Sequence, residues 1–387
     1  MTAPTAPAPP AVRRPHVVIG GQDIPVVLPS RRDPRLRLSA VIITLQVLGQ
    51  TVLGFKLSIA QILVTIAVCA LTELVLTYRR DHMLVWPASG ILTGNSISFI
   101  LRASGTRHGD WWSLHGVQFF VLAAVVSLLA KHLVRPVGRH LFNPSNIGIV
   151  WVLLVIGPNH VFPQYLWWGP WHAPVVTAMA VILGGGVWVL KRVRMIPMAA
   201  TFVAVFATLV GAFALAGHSF VAIWHAGPVS GATYWVDICF SPEILVFVFF
   251  MISDPQTAPK DPGARLVYAA ATAAAAAGLL FFQPTEFGIK LSILSSLTLV
   301  CAVVPSLEAA TRRRKAARAA ALLGEADVAP ERQVGQVVGR VRAALGRPAV
   351  VAALIIAVAA PVDTARLVAN KQLVPIELGQ TGPRNAQ

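Results

Sequence analysis

Two short stretches and one isolated carboxylate hold the residue types that could do chemistry. Phe142-Asn143-Pro144-Ser145-Asn146-Ile147-Gly148 sets two carboxamides around a proline. Pro144 has no backbone N–H to donate and suits a helix's first turn, and Asn143 before it is a helix cap. Ser253-Asp254-Pro255-Gln256-Thr257-Ala258-Pro259 puts a carboxylate at the end of an apolar run of Phe, Val, Ile and Met. A carboxylate there is costly unless it is paired or wet. Asp254 is therefore either a group on an ion path or a helix cap and partner for Arg265. Glu73, inside another apolar run, poses the same choice between an ion relay and an interface pair with Arg79 or Arg80.

Other chemistries lack their residues. Cys69, Cys239 and Cys301 stand alone, without CxxC or CxxCH, so this chain by itself offers no iron–sulfur, zinc or c-type haem site. The ten histidines do not fall at metal-ligand spacing. There is no P-loop, no GxGxxG and no nucleophile–base pairing. A net charge of +16 would suggest nucleic acid in a soluble protein. Here the basic residues lie in short clusters between apolar runs, the pattern of membrane topology signals. Nucleic acid is accordingly not an expected partner; the lipid bilayer is.

The elements that must carry these residues are membrane helices. Hydrophobic residues make up 56% of the chain and charged residues 12%, about half the charge of a typical soluble domain. The apolar runs reach the roughly 20 residues that span a 30 Å hydrocarbon core. The sequence predicts an all-α integral membrane protein of about ten spans. They are Leu36 to Phe55, Leu57 to Tyr78, a broken segment from Met83 to Leu101, and Leu114 to Val134. Asn146 to Ile156, Pro174 to Leu190, Pro197 to Ala216 and a short Pro242 to Ser253 follow. Ala264 to Phe282 and Ile289 to Val304 complete the set. Lys56 and Lys131 are placed to snorkel from span ends. Ala349 to Val362 is a short candidate for an eleventh span.

Four units follow. Residues 1–35, rich in Pro and Ala, read as a disordered leader; 36–305 form the membrane unit; 306–347 are a basic segment; 348–387 hold the candidate extra span and tail. Connections at 79–80, 131–140, 191–194, 260–265 and 312–318 are basic, whereas 157–173 and 217–241 carry no Lys or Arg. Positive loops stay inside, so the basic set and the N-terminus are expected in the cytoplasm. Arg102 and Arg107 in the loop at 102–113 fit this less well. Tyr165, Trp167, Trp168 and Trp171 suit an outer aromatic belt. Spans three, five and eight are short or broken by Pro and Gly, and broken helices in membranes often mark ion or ligand sites.

Four stretches, in order, resemble the RnfD/NqrB family, membrane subunits of the Rnf and Na⁺-translocating NADH:quinone oxidoreductase complexes. Ala130-Lys131-His132-Leu133 with Phe142 to Gly148 is similar to the family's AK-x-L…FNPAMxG. Leu183 to Leu190, with Arg192 and Ile196-Pro197, is similar to GGxWLL…R…HIP. Phe249 to Pro259, with Gly263-Ala264-Arg265-Leu266, is similar to FFxxTDPVT…GRL, and Val304-Pro305 to a closing VPL. The likeness covers roughly residues 33–310.

It implies a ten-span fold in a bacterial cytoplasmic membrane, other membrane subunits as partners, and electron transfer coupled to ion movement. It also implies flavin, as FMN or riboflavin. Asn143, Asp254 and Thr257 are the cofactor-binding residues it points to, with Glu73 and Asp254 on the ion path. The family esterifies FMN to a threonine between spans five and six. Here the matching SGAT, Ser230 to Thr233, lies in an outer loop after span seven, and Gly227 stands where an acidic residue is expected. A divergent UnbU-type branch, associated with enediyne biosynthesis, offers the alternative of a non-redox transporter or accessory membrane protein.

Overall fold

The computed structural model describes residues 15–30, 33–135, 138–165, 172–222 and 225–323. In chain order the elements are β1 (His16–Ile19), β2 (Gln22–Val27), α1 (Pro34–Thr51), α2 (Ile59–Asp81), β3 (Leu84–Val85), α3 (Ala88–Ile100) and β4 (Leu101–Ala103). Next come α4 (Val117–Leu133), α5 (Pro144–Ile156), β5 (Val161–Pro163), α6 (Ala173–Val193) and α7 (Ile196–Leu215). Then follow β6 (Ser219–Val221), β7 (Pro228–Ser230), α8 (Gly231–Cys239) and α9 (Pro242–Val246), which continues as a π-helical stretch, Phe247–Met251. α10 (Pro262–Leu280) and α11 (Glu286–Leu323) end the described chain.

The helices start by a common rule. Asp33, Ser58, Asn143, Ser241 and Asp261 each turn a side-chain oxygen onto a free N–H of the first turn. Proline follows directly in four of the five, where its missing N–H costs nothing. Ser58 and Gln61 complete a reciprocal capping box.

Polarity is arranged for lipid. Leu63, Leu71, Val75, Val176, Leu183, Leu215, Val267 and Phe282 are exposed, while Gln46, Gln61, Asn95, Asn146 and Thr298 are buried. The buried amides bridge elements: Asn146 Nδ2 donates to Leu294 O and Thr298 Oγ1, both at 2.9 Å, and Gln46 Nε2 donates to Ser98 Oγ at 2.9 Å. Six helices are long and apolar enough to cross a membrane: Ile59–Asp81, Ala173–Val193, Ile196–Leu215, Gly231–Met251, Pro262–Leu280 and Glu286–Arg318. The sequence predicts about ten spans, and the difference has a plain cause. α3 and α5 have 13 residues each, a rise of about 20 Å, α4 has 17, and α1 carries Arg35 and Arg37 in its first turn. α11 sits at the centre, 83% of its apolar window buried against 22% for α2.

Contacts between elements define two ends. At the basic end Glu73 meets Lys131, Arg139 meets Glu308, His140 meets Asp254, Lys315 meets Asp261, and Arg265 donates to Arg194 O. At the opposite end β4 pairs with β5, β6 pairs with β7, Ile59 N donates to Trp111 O, and Val221 N to Pro284 O.

Between these ends the chain repeats itself. α2 packs on α3 and α4 as α7 packs on α8 and α10. α1 packs on α3 as α6 packs on α9, and α4 on α5 as α10 on α11. α1 meets α6, and α5 meets α11. α1 leaves the basic end and α6 the opposite one, so the halves are inverted, a plan shared by many membrane transporters.

Several expectations change. Where composition predicts a disordered leader over 1–35, His16 to Val27 form a hairpin that β3 extends in parallel. The connection at 217–241 contains β6, β7 and α8 rather than loop alone. α11 continues past Pro305 through the basic cluster to Leu323. Trp167, Trp168, Trp171 and the candidate span at 349–362 lie outside the described residues.

Close approach of helices depends on missing side chains. A Cβ on Gly94 would lie 2.7 Å from Ile66 Cα and 2.8 Å from Thr65 O, both on α2. Gly94→Val is expected to cost about 1–3 kcal/mol, read as a lower Tm of the purified chain in detergent. Gly184→Val, on α6 with nothing within 4 Å of the added carbon, is expected to leave Tm unchanged.

Candidate functional site

The two proline-containing motifs meet. Asn143 caps α5 through Oδ1, which accepts from Asn146 N at 3.2 Å and from Ser145 Oγ at 3.0 Å. Its Nδ2 donates to Met251 O at 3.4 Å, the last residue of the π-helical stretch. The chain then turns through Asp254, whose Oδ1 accepts from Gln256 N at 3.0 Å, while its carbonyl accepts from Thr257 N and Ala258 N. One carboxamide thus ties the first motif to the backbone entering the second.

A cavity of about 720 Å³ opens beside this junction, within the range of small-molecule sites. α1, α3, the end of α4, the start of α5, the end of α6 and the π-helical stretch enclose it. Leu38, Leu92, Phe99, Phe249 and Phe250 supply apolar wall; Glu73, Lys131, His140, Asn143 and Asp254 supply polar groups. Asn143, Asp254 and Glu73 all line it. Thr257, 2% exposed, stands behind the wall and holds the turn, its Oγ1 donating to Asp254 O at 3.3 Å.

Partners differ from those expected. Glu73 pairs with Lys131, not Arg79 or Arg80: Nζ lies 2.7 Å from Oε1, with side-chain exposures of 11% and 14%. Lys131 also donates to Ser89 Oγ at 2.8 Å on α3. It does not snorkel, because α2 and α3 present it with an anion and a hydroxyl. Asp254 faces His140, Nε2 to Oδ2 3.7 Å. Arg265 instead donates to Pro259 O at 2.8 Å. At the rim, the Arg35 guanidinium bonded to Asp33 holds that carboxyl below the usual carboxylate range. The Lys315 ammonium does the same for Asp261.

Thr233 lies elsewhere. It is exposed in the first turn of α8, at the opposite end from the cavity; the SGAT segment is a helix start rather than a loop. The three cysteines are buried and apart. Among the described residues no group of three His, Cys, Asp or Glu side chains is placed to hold a metal ion.

A second polar cluster gathers around Lys290. Lys290 Nζ lies 2.8 Å from Glu243 Oε1 and 2.7 Å from Glu286 Oε1, and donates to Gln164 O at 3.3 Å. Its ammonium and the Arg102 guanidinium share the Tyr165 ring, at 5.1 and 4.1 Å from the centroid. Burial pushes the Tyr165 phenol up. The signal was available as Glu286-x-x-x-Lys290, an i, i+4 pair opening a long apolar run. Nothing local announced Glu243 as the third member.

No protein-family model matches this chain, and comparison with curated proteins gives no match either.

The Glu73–Lys131 pair makes a direct prediction. Removing one partner leaves an uncompensated buried charge. Lys131→Met is expected to destabilise by about 3–5 kcal/mol, and the double variant Glu73→Gln/Lys131→Met by clearly less. Thermal unfolding in detergent, run as a double-mutant cycle, measures both.

Proposed function

We propose that this chain is an RnfD/NqrB-type membrane subunit of an electron-transport complex, coupling electron transfer to ion movement, with a flavin or quinone held in the cavity at the motif junction. The observation carrying this reading is the Asn143 Nδ2 to Met251 O bond. Through it the two segments that resemble the family's most distinctive motifs build one cavity wall.

The cavity suits a flat redox ring. Its volume is about 720 Å³, and Phe99, Phe249 and Phe250 offer aromatic wall. Asn143 Nδ2 is a carboxamide donor at the edge, and Asp254 a carboxylate acceptor. Such a group would supply the electron chemistry; the chain supplies position, electrostatics and exclusion of water. Glu73 and Lys131, paired at the wall, set the local charge. Partner subunits would bring and remove the electrons. Thr233 remains the residue for a covalent FMN, which would then sit at the opposite end from the cavity.

In this reading ten segments cross a bacterial cytoplasmic membrane. The six long helices are joined by α1, α3 with β4, α4 and α5, the short ones completed by extended residues. The basic end, with Arg79, Arg80, Lys191, Arg192 and the cluster at 312–318, faces the cytoplasm with the N-terminus.

A second reading is a non-redox transporter or accessory membrane protein of a natural-product cluster, of the UnbU type. The inverted halves and a cavity open at one end favour it.

Flavin binding separates the two. Riboflavin or FMN added to the purified full-length chain should lose fluorescence, and a quinone analogue should compete. Asn143→Ala and Asp254→Asn should weaken binding about tenfold, roughly 1.4 kcal/mol each. Thr233→Ala should leave this binding intact and remove any FMN mass adduct. A chain that binds neither flavin nor quinone analogue leaves the transporter reading.

A further inference from the structure

The start of α1 and the end of α6 meet at the basic end. A Cβ on Gly185 would lie 2.9 Å from the Val41 side chain, so the two helices touch closely. One turn nearer the basic end, the Arg37 guanidinium lies over the Trp188 ring, 5.1 Å from its centroid. Lys191 and Arg192 follow Trp188 by three and four residues, which puts them on its face of α6. Three cations from two helices therefore gather around one exposed indole.

These cations are uncommitted. α1 and α6 contain no Asp or Glu. Asp33, ahead of α1, gives both carboxylate oxygens to Arg35. α3, α7 and α9 pack on the two helices and add a single acid, Glu243, which lies 2.8 Å from Lys290. Arg37, Lys191 and Arg192 thus have no carboxylate partner among the described residues, and an anion from outside the chain meets all three.

The surface leading to them is apolar. Leu183 and Val187 on α6, and Leu36 and Ile43 on α1, are exposed. Gly184, one turn before Trp188, leaves a hollow, since nothing lies within 4 Å of a carbon added there. Leu183 to Lys191 is a rise of about 12 Å, close to one leaflet of a roughly 30 Å hydrocarbon core. α6 is long and apolar enough to cross such a core. Its other side, with Val189 and Val193, faces the large cavity, so this surface is separate from that one. An occupant must be apolar over one leaflet's depth and anionic where the cations stand. A soluble phosphate answers only the charge. An acidic peptide laid along the stripe would leave backbone groups unpaired in hydrocarbon. A phospholipid with a net negative headgroup answers both demands, with guanidinium groups for its phosphate and an indole at the interface.

We propose that the seam between α1 and α6 is a binding site for an anionic phospholipid. Arg37, Lys191 and Arg192 hold its phosphate, Trp188 packs on its glycerol region, and one acyl chain runs along Leu183, Gly184 and Val187. The site stands whether the large cavity takes a flavin or another solute.

Native mass spectrometry tests this on the full chain, delipidated and titrated in detergent with phosphatidylglycerol or phosphatidylcholine. The wild type should bind its first phosphatidylglycerol clearly tighter than phosphatidylcholine. Arg37→Gln should weaken that lipid roughly fivefold and Lys191→Gln/Arg192→Gln roughly 25-fold, the scale of one and two cations lost near a headgroup. Arg312→Gln/Arg313→Gln/Arg314→Gln, which removes three exposed cations on α11, should leave it unchanged. At one lipid per chain, phosphatidylglycerol brominated on its acyl chains should quench tryptophan fluorescence, and Trp188→Phe should remove that quenching. Glycerol phosphate, which carries the charge without the tails, should not displace the lipid. Equal affinity for the two lipids, equal losses in the seam and the α11 variants, quenching unchanged in Trp188→Phe, or displacement by glycerol phosphate overturns the proposal. If Arg37→Gln does not fold, Lys191→Gln/Arg192→Gln, at exposed positions, decides the matter.

Discussion

Helix ends carry amides and carbonyls with no partner inside the helix, and hydrocarbon offers none. A chain that breaks its helices inside an apolar interior must therefore wrap every break in protein. This constraint organises the molecule. α3 ends at Ile100, and the backbone there is taken up at once: Gln164 N donates to Ile100 O, and Leu101 to Ala103 pair with Val161 to Pro163. α5 begins at a capped proline whose first residues are all buried. Around these breaks the long helices form the outer wall, with α11 running down the centre. Glycines at 90, 94 and 148 let α3 and α5 lie almost on the backbones of α2 and α4, so the breaks are sealed without bulky fill.

The same wrapping allows charge inside. Two buried ion pairs join elements distant in sequence: Glu73 on α2 to Lys131 on α4, and Glu243 on α9 to Lys290 on α11. Such pairs gain little net stability over apolar packing, but each charge makes its partner indispensable. Glu73 and Lys131 line the large cavity, Glu243 and Lys290 a small one of about 40 Å³, and Ile100, Val246 and Met251 line both, so an apolar layer separates the two polar regions. Inversion of the two halves produces this directly, since α3 and α9 bring their breaks to the middle from opposite ends.

The cavity at the basic end inherits its character from that geometry. Its apolar side comes from α1, α3 and the π-helical stretch, its polar side from helix starts and ends where capping side chains gather. Asn143 serves both purposes, closing the first turn of α5 and holding the Met251 carbonyl. A residue that caps a helix and lines a ligand-sized space is rigid for structural reasons, which is what a binding group needs.

Much was legible in the sequence. Apolar runs, caps and basic connections gave the order of the helices, the cap at Asn143 and the membrane setting, because solvent preference and capping act within a few residues of the chain. Asn143, Asp254 and Glu73, which line the cavity, stand out in the sequence for the same reason: a proline-flanked amide or a lone carboxylate in an apolar run is visible locally. Pairing was not. Glu73 takes Lys131 rather than its neighbours Arg79 and Arg80, and Asp254 faces His140 rather than Arg265, because the choice depends on which helices lie side by side. Glu243 joins Lys290 for the same reason. The lengths of α3 and α5, the helical start at Thr233 and the inverted relation of the halves also came only with the tertiary structure. Local chemistry fixes what each segment can be; long-range packing alone decides which buried charge meets which.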